Sequence, residues 1–278
     1  MILVFGKTGQ VAACLDQMAD TRCLCREEAN LRHPNSCASL IYSLRPEAVI
    51  NAAGYTDVEG AEKNQNEAYI VNALAPQKMA LACENLKIPF LHFSSDFVFD
   101  GSTATPYQPL DTPAPINFYG KSKLEAEKFI RANNSWNVIL RTSWVFSAGP
   151  GDFVGKIIDK AKHEEGIRVV GDQFGCPTPA NALAEAAYTI LKRLQQTKSV
   201  TGTFHFCGQP TVSRADFARA IISCIGKKNR VIDAKASEFS NNAARPYFSA
   251  LDCENTMNSF GVDSPEWLDA LKHYLNEN

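Results

Sequence analysis

The sequence has almost no excess of charge: 28 Lys and Arg stand against 30 Asp and Glu, a formal net charge of −2. There is no basic surplus for a nucleic-acid backbone or an anionic membrane surface, so any anionic ligand must be held by local groups. No apolar run approaches the roughly 18 residues that a membrane-spanning helix requires. Repeats and low-complexity tracts are missing too. The nine cysteines are an odd number, and no C-x-x-C pair recurs among them. A zinc site or a disulfide framework is therefore not expected, and reduced thiols in a cytoplasmic protein are. Cys23 and Cys25 belong to an expected buried strand.

What is present is ordinary for a globular chain: 45% hydrophobic and 21% charged residues. At 278 residues the length suits one dinucleotide-sized domain with a smaller appendage. Ile2-Leu3-Val4-Phe5 follows Met1 directly and reads as a first strand, not a signal peptide. Gly6-Lys7-Thr8-Gly9-Gln10-Val11-Ala12 then fits G-x-x-G-x-x-A before a helical stretch. Glycines there permit a tight turn and let backbone N–H groups approach a pyrophosphate. A second strand over 21–25 leads into Arg26-Glu27-Glu28. An acid at this place would bind ribose hydroxyls and an arginine a 2′-phosphate, so Arg26 points to NADPH while the glutamates keep NADH open.

The chain continues with a helix over 31–44 that ends before Arg45-Pro46, a strand over 48–54 running into small residues, and a loop over 55–59. A long helix covers 66–86, where Asn72 either bridges the backbone of adjacent strands or is exposed. The strand ending in Ser94-Ser95 brings two hydroxyls to a carboxyl edge, where chemistry gathers in an open parallel sheet. Such a hydroxyl can bond both a substrate carbonyl and a nearby phenol. Another strand over 136–144 places Trp144 as an aromatic wall or as core. Beyond a break at 149–152 come a helix over 153–163, a strand over 167–170, a helix over 180–194, a strand over 202–206 returning to the main sheet and a helix over 214–225. Alternating strands and helices imply an α/β, doubly wound parallel sheet of the NAD(P)-binding Rossmann type with a smaller C-terminal substrate-binding domain. The expected division is 1–147 with 179–207 against 148–178 with 208–278.

Tyr119-Gly-Lys-Ser-Lys123 opens a helix after a proline-rich loop. Tyr and Lys four residues apart share one helix face. An ammonium beside a phenol favours the phenolate, so Lys123 is expected to lower the pKa of Tyr119. That tyrosine then gives its proton to an oxygen becoming an alkoxide. On the loop 245–252, Arg245 is a candidate phosphate clamp and Ser249 a further candidate substrate contact.

Seven stretches in order, GKTGQVA, RPEAVINAAGYTDVEGAE, SSDFVFDG, YGKSK, RTSWVF, GDQFGCPTP and ARPYFSALD, resemble the dTDP-4-dehydrorhamnose reductase family of the extended short-chain dehydrogenase/reductase superfamily. The resemblance implies a catalytic set of Ser95, Tyr119 and Lys123, with serine where the family has threonine. It implies Gly9, Gln10 and Val11 on the pyrophosphate, and Asn30 and Leu31 near the adenine, Asn30 replacing a frequent Asp. Gly54, Tyr55, Thr56 and Phe93 would line the cofactor, and Asp96 and Trp144 the sugar. Some members dimerise through Mg2+, but Cys14 stands at one ligand position, so no metal site is carried over and a monomer or a homodimer is expected. The implied reaction is hydride transfer from NADPH or NADH to C4 of a dTDP-linked 4-ketosugar. Two other readings stand beside it. One is a nucleotide-sugar epimerase or dehydratase, disfavoured because Phe97 replaces the second carboxylate after Asp96. The other is a non-catalytic regulator resembling the methionine adenosyltransferase beta subunit, disfavoured because all three catalytic groups are kept.

Overall fold

The computed structural model describes residues 1–149, 151–198, 200–240 and 242–276. Pro150, inside the expected break, lies outside them. The chain begins β1 (Ile2–Phe5), α1 (Gln10–Leu15), β2 (Thr21–Leu24), α2 (Pro34–Leu44), β3 (Ala48–Asn51) and α3 (Val58–Lys63). A long helix follows as α4 (Gln65–Tyr69), a π turn (Ile70–Leu74) and α5 (Ala75–Leu86). Then come β4 (Phe90–Ser95), α6 (Phe118–Asn133), β5 (Asn137–Thr142), β6 (Val145–Phe146), α7 (Phe153–His163), β7 (Gly166–Val170), β8 (Phe174–Gly175) and β9 (Thr178–Pro179). The described chain closes with α8 (Ala180–Gln196), β10 (Gly202–His205), β11 (Val212–Ser213), α9 (Arg214–Cys224), β12 (Arg230–Ala234), α10 (Glu254–Phe260) and α11 (Trp267–Asn276).

Six strands form one sheet in the order β10-β5-β4-β3-β1-β2, every neighbour parallel. β1 shows why an unbroken apolar run suits this position. Ile2 and Val4 pack into the core under α1 and α8, while Leu3 and Phe5 pack into the core on the opposite face. With side chains alternating faces and both faces covered, all four are fully buried. Each contributes about 1.5–3 kcal/mol by leaving water. The order reverses direction between β1 and β3, which leaves a crevice beyond their carboxyl ends. A third apolar cluster joins Phe146, Ile157, Val169, Phe217, Ile221 and Trp267 around the separate parallel pair β7–β12.

Several expected boundaries move. β2 stops at Leu24, and Cys25 lies outside it and half-exposed, not in a buried strand. β3 ends at Asn51, and Ala52 and Ala53 already lie in the loop that lines the crevice. The helix expected from residue 31 begins at Pro34, a residue suited to a first helical turn. Trp144 has φ 44°, a left-handed backbone that no strand can hold, so the strand expected to reach it ends at Thr142.

Candidate functional site

The glycine loop meets the crevice first. Gly6 has φ 109°, and a β-carbon there would press on the Ala52 carbonyl carbon at 3.2 Å. Gly9 has nothing within 4 Å of where its β-carbon would be, so its backbone faces open space. No side chain caps α1 beyond it. Gly9, Gln10 and Val11 line a cavity of about 520 Å³ together with Gly54, Thr56, Phe93, Ser95, Asp96, Tyr119, Lys123 and Trp144. A neighbouring cavity of about 250 Å³ is walled by Gly6, Arg26, Asn30, Leu31, Gly54, Tyr55 and Thr56. The expected cofactor-binding and catalytic residues thus divide between two neighbouring hollows that share Gly9, Gly54 and Thr56. Buried Gln10 Oε1 and Thr142 Oγ1 have no hydrogen-bond partner and belong to residues of the larger cavity. Such atoms are costly unless a ligand or water completes them. The bare glycine backbone and these acceptors fit a dinucleotide.

Helix α6 delivers the Tyr and Lys. Asn117 caps it, accepting from Gly120 N at 2.7 Å, while its amide donates to Ala244 O at 2.8 Å. Gly120 has no room for a side chain: a β-carbon would overlap the Phe97 carbonyl oxygen. Gly120→Ala should therefore force α6 off the Ser95–Phe97 turn and lower stability by about 1–3 kcal/mol, read as a reduced urea midpoint with an unchanged m-value. Asn72 is buried, so the exposed alternative fails. It bridges, but not between strands as expected. The π turn aims it at the Tyr55 backbone (2.8 Å from N, 3.0 Å to O) and at Ser122 Oγ, 3.0 Å away. Ser122 in turn donates to Tyr119 O at 2.7 Å. The loop after β3 is thereby locked to the helix carrying Tyr119 and Lys123.

Electrostatics correct the expected coupling of Tyr119 and Lys123. The phenol is pushed up to about 12, chiefly by burial, with the Ser95 hydroxyl pulling down and Asp96 pushing up; Lys123 is not among the causes. Tyr119 lines the larger cavity and is half-buried. Lys123 is itself brought down to about 8 by burial, opposed by Glu127, and its ammonium donates to Phe93 O at 2.8 Å. The net direction for Tyr119 is upward, which favours the protonated phenol.

Ser95 donates to Asp96 Oδ1 at 2.9 Å and accepts from Phe97 N at 3.1 Å. Its proton must turn away from Asp96 to reach a substrate oxygen. Ser94 points elsewhere, donating to Glu127 Oε1 at 2.6 Å. Ser249 does not line either cavity: it donates to Asp96 Oδ2 at 2.6 Å and so acts on the site through Asp96. Arg245 also misses the larger cavity, because it is ion-paired with Glu59 at 2.7 Å. The arginine that lines it is Arg214, stacked 3.5 Å over the Trp144 ring. Sequence reading had no signal for Arg214, which opens an ordinary helix far from Trp144 in the chain. Trp144 is therefore wall, held in place by that cation. Burial and the neighbouring Arg245 oppose the charge on Arg214, and Asp96 favours it.

Asp96 is raised from 3.8 to about 6 by burial, against the pull of Ser249, Ser95 and Arg214. The native state then binds more protons than the unfolded chain between those values. This contribution to stability is full below the lower value and lost as pH rises through the upper one. The stability of the wild type relative to Asp96→Asn should fall by about 2–3 kcal/mol from pH 4 to pH 7, measured by urea unfolding at each pH.

All 278 residues match the family described as RmlD substrate binding domain. The chain belongs to this family. A curated dTDP-4-dehydrorhamnose reductase of Sinorhizobium fredii is 36% identical over 284 residues, spanning 99% of this chain and 96% of the relative. The crystal structure of such a reductase from Clostridium acetobutylicum is similar with a TM-score of 0.93 at 29% identity, covering 99% of this chain and 98% of that one. Another, from Bacillus anthracis in complex with NADP, gives a TM-score of 0.91 at 29% identity, covering 100% and 99%. RmlD-family membership thus agrees with the resemblance and with the doubly wound fold. Among the described residues no cluster of His, Cys, Asp and Glu suits a metal ion, and no helix is long and apolar enough to cross a membrane.

Proposed function

We propose that this chain is a dTDP-4-dehydrorhamnose reductase that uses NADPH and makes dTDP-L-rhamnose in the cytoplasm for cell-surface polysaccharide. The observation that carries it is one cavity holding the glycine loop at one end and Ser95, Asp96, Tyr119, Lys123 and Trp144 at the other. Gly6, Gly9, Gln10, Val11, Gly54, Tyr55, Thr56, Phe93 and Lys123 would hold the dinucleotide, with Asn30 and Leu31 at the adenine. Arg26 on the wall of the smaller cavity supports NADPH over NADH, because Glu28 is turned back to accept from Cys25 N at 3.0 Å. When bound, the reduced nicotinamide supplies the hydride.

The protein's own groups do the rest. Tyr119, protonated at neutral pH, donates its proton to the C4 oxygen as negative charge develops there. Ser95 turns its hydroxyl from Asp96 to polarise the same carbonyl. Lys123, fixed by the Phe93 carbonyl, would hold the cofactor ribose and keep positive charge near the reacting oxygen. Asp96 and Trp144 orient the sugar, and holding both reactants in register supplies much of the rate. The division into 1–147 with 179–207 and 148–178 with 208–278 is supported by the separate apolar cluster around β7 and β12.

The dehydratase reading is weakened further, because Phe97 stands edge-on to Tyr119 and Asp96 is the one carboxylate among the residues of the larger cavity. Mixing the protein with dTDP-4-dehydrorhamnose and NADPH, then with NADH, tests the reading. Loss of the reduced-nicotinamide absorbance, faster with NADPH, supports it. No loss with either, or protein that purifies with NAD already bound, rejects it. Light scattering on the same sample separates a monomer from a homodimer.

A further inference from the structure

Away from the cavity, three sulfurs meet under the 245–253 segment. Cys207 follows β10, Cys253 precedes α10, and Cys176 lies between β8 and β9. Cys207 Sγ is 3.5 Å from Cys253 Sγ, and both face the Leu251 carbonyl, at 3.6 and 3.8 Å. Cys176 Sγ is instead 3.4 Å from Thr211 Oγ1. A buried cysteine is ordinarily an inert, small apolar group. This cluster departs from that in two respects. Cys253 keeps 9% of its surface exposed, whereas Cys176 and Cys207 have none. It also lines an open surface cavity of about 330 Å³ with Pro106, Gln209, Asp252, Met257 and Ser264. The thiol of Cys207 and the hydroxyl of Ser264 draw the pKa of Cys253 down, while Cys207 is pushed well up by its two sulfur neighbours and by burial. Cys207 draws Cys176 down in the same way, and burial opposes the shift on Cys253, so what sets Cys253 apart is that it is reachable from the surface while Cys207 is shielded.

We propose that Cys253 and Cys207 are a hydroperoxide-responsive pair, Cys253 being oxidised first and Cys207 resolving it into an intramolecular disulfide. The Cys253 thiolate attacks the terminal peroxide oxygen; the S–O bond forms, the O–O bond breaks, and the alcohol or water leaves with a proton. Cys207 then attacks the sulfenic sulfur; the S–S bond forms and the hydroxyl departs with the Cys207 proton as water. Two thiols are oxidised and one hydroperoxide is reduced. The sulfurs must close by about 1.5 Å to reach bonding distance, which requires a shift of the 248–253 segment. The cross-link then ties that segment, which carries Ser249 and through it Asp96, to the end of β10.

The test is graded hydrogen peroxide on the native, full-length, reduced protein, with NADPH binding followed as a check of fold. Thiols titrated after denaturation should fall by two from nine, and a peptide map should contain the 207–253 linkage. In Cys207→Ser, dimedone should label Cys253; in Cys253→Ser, neither linkage nor labelling should occur. The proposal is overturned by a 176–207 linkage, by oxidation of half-exposed Cys25 while Cys253 stays alkylatable, or by a 207–253 linkage that forms only after urea unfolding. Should a variant fail to fold, the wild-type map decides alone.

Discussion

Tyr119→Phe is expected to lower turnover by about 10²–10⁴ while leaving NADPH affinity within about twofold. The substitution removes one hydroxyl and keeps the ring, which packs edge-on against Phe97 with centroids 6.0 Å apart. What is lost is therefore the proton source and not the shape of the wall. A phenol pushed up to about 12 stays protonated across neutral pH, so the wild-type rate should not fall with phenol ionisation until strongly alkaline pH. Stopped-flow absorbance gives the single-turnover rate, and quenching of protein fluorescence gives the NADPH dissociation constant. Normal turnover by the variant would remove Tyr119 from the mechanism. Weakened NADPH binding with an unaltered single-turnover rate at saturation would make it a cofactor contact instead.

The parts of the site legible in the sequence are those whose chemistry and local geometry coincide. The glycine loop after a four-residue apolar strand dictates both a turn and an anion-facing backbone, and Gly6 occupies the positive φ that such a turn needs. Tyr119 and Lys123 could be placed on one helix face by spacing alone. Contacts between distant segments were not legible. Arg245 and Arg214 are both arginines near the start of an element or loop, and nothing local separates the one paired with Glu59 from the one stacked on Trp144. Ser249 was expected as a substrate contact, but it lines neither cavity, and its partner, Asp96, is 153 positions away. The direction of the Tyr119 shift failed for a related reason. Sequence spacing reports that an ammonium is near; it does not report how much water the fold removes from both groups.

The second large effect concerns a pair that never touches the cavity. Arg141→Met should cost about 3–5 kcal/mol, because it strands the Glu127 carboxylate in a buried site. Arg141 is 2% exposed and grips Glu127 through Nε at 2.8 Å and Nη2 at 2.7 Å. The remaining partners, Ser94 and half-exposed Arg131, do not replace a bidentate guanidinium. Glu127→Gln together with Arg141→Met should cost less than the two single changes added, since no unpaired charge is then buried. Urea midpoints of the four proteins measure this coupling. Additive costs would mean that the pair is not energetically joined. The consequence reaches the chemistry because Glu127 lies one turn beyond Lys123 on α6 and is the group that opposes the loss of its proton. In Glu127→Gln the Lys123 ammonium should therefore deprotonate at lower pH, moving the alkaline limb of kcat/KM downwards. The Arg141→Met protein, in which a carboxylate remains, should hold that limb near the wild-type position. A stability defect alone would move neither, so the two variants separate the packing role of the pair from its electrostatic hold on Lys123.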